Sequence, residues 1–82
     1  MAEMTTAGRA LLMQAILWVE THPPKNVTHA LIVDADIKAA RRKLNAGRYA
    51  GACYHVAEAM QRCPGAPAVL LLRLRNPYKA VQ

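Results

Sequence analysis

Cysteine, histidine and carboxylate side chains are where a short chain keeps its chemistry, and here they are sparse: two cysteines, three histidines and five acids. Cys53 and Cys63 fall in one segment that reads as helical. At ~1.5 Å per residue their α-carbons lie roughly 15 Å apart, beyond the ~7 Å that a disulfide spans. They cannot bridge each other and read as small buried hydrophobes, with a reactive thiol or an intermolecular link as the other reading. His55 and Glu58 stand three apart, a spacing that some metal ligands use on a helix, but Arg62 is placed to pair with Glu58 one turn on and competes for it. A salt-bridged surface is therefore expected there, and no metal site is assigned. The cysteines and His55 do not fall at a zinc spacing, and no P-loop or paired-glycine phosphate motif is found. Of the acids Glu3, Glu20, Asp34, Asp36 and Glu58, no two make an acid/base pair; Asp34 and Asp36, two apart on a helix, point to different faces. We assign no catalytic or cofactor-binding residue and expect no enzyme. Asn26-Val27-Thr28 matches a glycosylation acceptor, which without a secretion signal reads as coincidence.

The charge balance is the stronger signal. Eleven Lys and Arg against five Asp and Glu give a net charge of +6, which favours an acidic protein surface or nucleic acid as partner. Lys38, Arg41, Arg42 and Lys43, with Arg48 nearby, form a basic cluster able to contact phosphates. Asp34 and Lys38 make a favourable i,i+4 pair, whereas Arg41, Arg42 and Lys43 have no acid three or four positions away. Three readings stay open for them: a solvated face, an acidic protein partner, or nucleic acid. One tryptophan and three tyrosines are the only aromatics, none of them inside the cluster. There is also no helix-turn-helix or RNA-binding signature, which weighs against specific nucleic-acid recognition.

Four periodic segments must position these residues. Thr5 or Thr6 can cap a first helix in which Leu12, Ile16 and Val19 recur at helical spacing, with Leu11, Ala15 and Trp18 on adjoining rows. Pro23 and Pro24 disfavour helical geometry in the residue before each, so that helix stops near His22. Ala30, Val33, Ile37, Ala40 and Leu44 form a heptad-like stripe along a second helix; a short strand over 27–33 is the alternative, since β-branched residues are dense there. Gly47 ends the second helix. Tyr49, Cys53, Val56, Met60 and Cys63 make the stripe of a third, beside the small Ala52 and Ala59, and Pro64 stops it. After Gly65-Ala66-Pro67, the run Val69, Leu70, Leu71, Leu72 and Leu74 reads as a last helix of about nine residues. It is apolar nearly all round and needs cover from the first helix or from a partner.

The pattern Gly47-x-Tyr49-x-x-Ala52, then Val56, Ala59 and Pro64, resembles the second half of a tetratricopeptide repeat. Ala40 occupies the small position of that repeat's first helix, while Asp36 stands where the family usually has a large aromatic. The resemblance covers residues 33–64, about one repeat, and implies an antiparallel helical hairpin whose Gly47, Tyr49, Ala52, Val56, Ala59 and Pro64 are scaffold. Any close-packed hairpin selects the same alanines and turn glycine, and that reading stays open beside it. One repeat cannot bury its own apolar face. In size, hairpin and leucine-rich last helix the chain also resembles small chaperones of bacterial type III secretion.

The expected fold is all-α, three to four short helices with a tetratricopeptide-like antiparallel hairpin in one domain over residues 1–82, its ends at about 1–5 and 77–82 flexible. A hydrophobic content of 54% in 82 residues supports a folded domain of modest core. No apolar run reaches the ~20 residues of a membrane span and no signal peptide is recognised, so a cytoplasmic protein without membrane insertion is expected. Its expected work is binding, as a chaperone or adaptor that engages another protein or a second copy of itself through Trp18, Leu70, Leu71 and Leu74. A phage or mobile-element inhibitor acting through the same surfaces is the alternative. A basic nucleic-acid-binding regulator using Lys38, Arg41, Arg42 and Lys43 is a third. No cofactor is expected.

Overall fold

The first proline pair breaks the chain where expected. In the computed structural model, which describes residues 6–76, helix α1 runs Thr6–Thr21 and gives way to the turn at Pro23 and Pro24. Helix α2 then runs Val27–Asn45. The Asn26 side chain caps it, its Oδ1 accepting from the His29 amide at 3.0 Å, and so satisfies one of the amides that a helix start leaves unpaired. The β-branched stretch 27–33 is therefore helical, and the strand alternative falls. Helix α3 spans Tyr49–Gln61 and α4 spans Ala68–Arg75. The described residues contain no strand, and the fold is all-α. The expected flexible ends lie outside the described residues.

The α2–α3 turn shows why glycine stands at its bend. Gly47 sits at φ +78°, in the left-handed region where a Cβ is costly. That geometry lets the Gly47 amide reach the Leu44 carbonyl at 3.1 Å and the Arg48 amide reach the Lys43 carbonyl at 2.7 Å. Together these bonds make a Schellman ending that satisfies the last carbonyls of α2. With so tight a turn, α3 folds straight back along α2, and the two helices share the molecule's most extensive interface. Ala40 of α2 and Ala52, Ala57 and Ala59 of α3 are fully buried, their small side chains letting the backbones approach. Tyr49 is half-buried and Val56 is fully buried, while Pro64, just past the α3 cap at Arg62, is exposed.

Helix α3 is the hub, since α1, α2 and α4 all pack against it. From α1 come Leu12, Ala15, Ile16 and Val19; from α2, Val33, Ile37, Ala40 and Leu44; from α4, Leu74 alone. The Cα trace measures 38 × 25 × 15 Å. Its thinnest dimension is about two helix layers, given interaxial spacings of ~8–10 Å and helix radii of ~2.3 Å. Burial is therefore one-sided almost everywhere, and even α3 exposes Tyr54.

Candidate functional site

Within this slab the groups best suited to chemistry are already committed. Cys53 and Cys63 are free and buried, and burial pushes the Cys53 thiol up from 9.0 to about 11. Burial raises the Cys63 thiol too, and its Sγ donates to the Ala59 carbonyl at 3.4 Å. A thiol held neutral is a poor nucleophile and a poor metal ligand. His55 reaches out of α3 to Asp36 of α2, Nδ1 to Oδ1 at 3.1 Å. Glu58 is taken by Arg75 of α4 at 2.9 Å. The expected Glu58–Arg62 pair does not form; Arg62 donates instead to the Glu58 backbone carbonyl at 2.9 Å and lies 3.8 Å from Asp36. The cause is that Asp36, at the α2–α3 seam, and Arg75, on α4, compete for the two side chains across elements. Asp36 thus joins His55 and Arg62 in a polar clasp over the hairpin.

The basic cluster divides in two. Lys38 pairs with Asp34 at 2.9 Å as its spacing predicts. Arg41 finds a carboxylate that its own helix lacks, Glu20 of α1 at 2.9 Å. Arg42, Lys43 and Arg48 make no ion pair among the described residues. They gather at the α2–α3 turn, and Arg9 of α1 joins that end by donating to the Tyr49 hydroxyl at 3.0 Å. Its guanidinium carbon lies 5.5 Å from the Tyr49 ring centroid. Every carboxylate among the described residues is engaged, so the positive charge at this end is uncompensated.

Of the residues expected to meet a partner, Leu74 is instead in the core at 1% exposure, and Leu71 is half-buried against it. A helix apolar on nearly every side can turn any of its leucines inward, and α4 has turned Leu74. The outward-facing residues are Val69 and Leu72, 66% and 65% exposed. Trp18 and Leu70, both partly buried, line a cleft of about 290 Å³ between α1 and α4 together with Leu11, Val69 and Arg73. Trp18 stacks on His22, ring centroids 4.4 Å apart and planes 9° from parallel.

On its other flank α1 faces α2 across two further clefts. One, of about 520 Å³, is lined by Arg9, Ala10 and Met13 of α1 and by Arg41, Leu44 and Asn45 of α2. The second, of about 330 Å³, lies toward the proline turn and is lined by Val19, Glu20, Pro24, Val33 and Ile37 among others. Arg41 belongs to the first and Glu20 to the second, so their ion pair spans the partition between them. Of this flank the sequence singled out Arg41 but not Arg9, Met13 or Leu17. Met13 and Leu17, 45% and 62% exposed, lie off the buried stripe on one outer row, and that spacing was the available signal.

Among the described residues no three His, Cys, Asp or Glu side chains converge as a metal site would require. No helix there is long and apolar enough to cross a membrane. Compared with known proteins, the chain matches no family model, no curated protein and no solved structure.

Proposed function

We propose that this chain is a protein-interaction module of chaperone or adaptor kind, acting in the cytoplasm by binding rather than by catalysis. The surface assigned to a partner protein or a second copy is the face shared by α1 and α4. The carrying observation is the pair Val69 and Leu72, two-thirds exposed beside the cleft of Trp18 and Leu70. Apolar side chains clustered at a cleft mark interaction surfaces more often than scattered ones do. The tetratricopeptide-like reading belongs to the same proposal and draws support from the Gly47 turn and the close α2–α3 seam. An inhibitor encoded by a phage or mobile element would use the same face.

A second reading, nucleic-acid binding, draws on Arg42, Lys43 and Arg48, whose charge no carboxylate among the described residues offsets. One variant separates the two. Val69→Asp with Leu72→Asp removes exposed apolar surface only, so the variant keeps its helical circular dichroism. It should lose the partner captured by the wild-type chain, or the wild type's self-association in sedimentation. Unaltered capture and assembly would remove this face from consideration. Salt-sensitive binding to mixed DNA or RNA, abolished by Arg42→Glu with Arg48→Glu, would establish the second reading instead.

A further inference from the structure

The flank of α1 that faces α2 supports an inference that does not depend on the α4 face. We propose that the groove between α1 and α2 receives an acidic amphipathic helix of a partner protein, its apolar residues on Met13, Leu17 and Leu44 and its carboxylates on Arg9 and Arg41.

Shape comes first. The cleft of Arg9, Ala10, Met13, Arg41, Leu44 and Asn45 lies beside the first half of α1 and is closed toward the proline turn by the Arg41–Glu20 pair, with Leu17 exposed on the outer row of α1 one turn beyond Met13. An incoming helix can lie over this cleft and the outer row beside it, presenting side chains spaced by three and four to Ala10, Met13 and Leu17. Leu44, 8% exposed, forms the floor, so the groove is apolar at depth and cationic at its walls.

Charge then selects the occupant. The Arg41 guanidinium gives one hydrogen bond to Glu20, at 2.9 Å, and Arg9 gives one to the Tyr49 hydroxyl, at 3.0 Å. A guanidinium carries five N–H donors, so both arginines keep donors for an incoming carboxylate. Glu20 itself illustrates the fit: an acid on one helix already reaches across the groove to Arg41. Charge also argues against a second copy of this chain, which would bring its own net +6 against the same arginines. Nucleic acid fits less well, because Ala10, Met13 and Leu44 offer no aromatic face on which a base can stack.

The test uses the full chain and a helix-stapled synthetic peptide of about 16 residues, with leucines at helical spacing on one face and glutamates flanking them. Its twin carries glutamine for every glutamate. Anisotropy should show the acidic peptide binding roughly tenfold or more tightly than the twin at low salt. The Met13 methyl resonance should move while that of buried Met60 stays. Met13→Glu and Arg9→Ala should each weaken binding about tenfold, with helical circular dichroism retained because both side chains are exposed. Leu72→Asp, on the α4 face, should leave the affinity unchanged, which keeps this result separate from the fate of the α4 proposal. No binding, equal binding of the twin, or binding lost in Leu72→Asp but kept in Met13→Glu would overturn the inference. So would displacement of the peptide by an equimolar thymidine oligonucleotide that itself shifts Met13, in favour of nucleic acid. A wild-type dimer abolished by Met13→Glu would overturn it in favour of self-association.

Discussion

The α2–α3 hairpin and helix α4 are held by very different means. The hairpin has an asparagine cap at its start, a Schellman ending at its bend, fully buried alanines along its seam and the Asp36–His55–Arg62 clasp across it. Helix α4 begins at Pro67 without a side-chain cap, spans eight residues and sends one side chain, Leu74, fully into the core. Leu70 and Leu71 pack against that core only partly buried, and the Arg75–Glu58 pair adds little, as partly exposed ion pairs do. A helix of eight residues is not stable alone. One part of the molecule is over-determined, and the other rests on one fully buried leucine and two partly buried ones.

Leu74→Ala should break that contrast most sharply. Deleting a buried leucine side chain costs about 2–5 kcal/mol, a large share of what so small a domain has. We expect a lowered melting temperature, with α4 amides exchanging fastest and those of α2 and α3 retaining relative protection. Uniform loss of protection across all four helices would show that α4 and the hairpin form one cooperative unit.

Gly47→Val probes the hairpin's bend with a smaller expected effect. A Cβ at this position meets nothing within 4 Å, so the penalty is conformational, about 1–2 kcal/mol for a residue forced to positive φ. Chemical denaturation should show that loss, and an unchanged midpoint would mean the turn can relax to another geometry.

The smallest change concerns the seam itself. Gly51 lies under the side chain of Lys43, whose Cδ is 2.8 Å from where a Cβ would stand. Lysine methylenes can move aside, and alanine is the better helix former by up to about 1 kcal/mol. Gly51→Ala should therefore leave stability unchanged or raise it by about 0.5 kcal/mol. A clear loss in a denaturation midpoint would show that Lys43 is held more firmly against α3 than its chemistry suggests.

What the sequence made legible follows from how local each signal is. Pro23, Gly47 and Pro64 act on their immediate neighbours, so the breaks between helices could be placed from residue types alone. The stripes Val33–Ile37–Ala40–Leu44 and Cys53–Val56–Met60 likewise face inward as their spacing predicts. Ion pairs between elements are another matter. Arg41 seemed without an acid because its acid, Glu20, is on α1, and Glu58 went to Arg75 rather than to Arg62 in its own segment. Such choices depend on how helices cross, which periodicity does not carry. In α4 the difficulty is degeneracy: leucines at 70, 71, 72 and 74 leave a helix without a preferred inward face. Packing on α3 made the selection, placing Leu74 inside and Leu72 outside.

The stacked pair at the end of α1 has an optical consequence. Trp18 is the chain's single tryptophan, so all indole emission from this protein originates beside the α1–α4 cleft. The His22 imidazole stacks against that indole, ring centroids 4.4 Å apart. Dehydration of the cleft by an arriving side chain would shift the same emission to the blue, with no label attached. The molecule thus carries its own chromophore at the surface proposed above for a partner, and a fluorimeter can follow any occupancy there in real time.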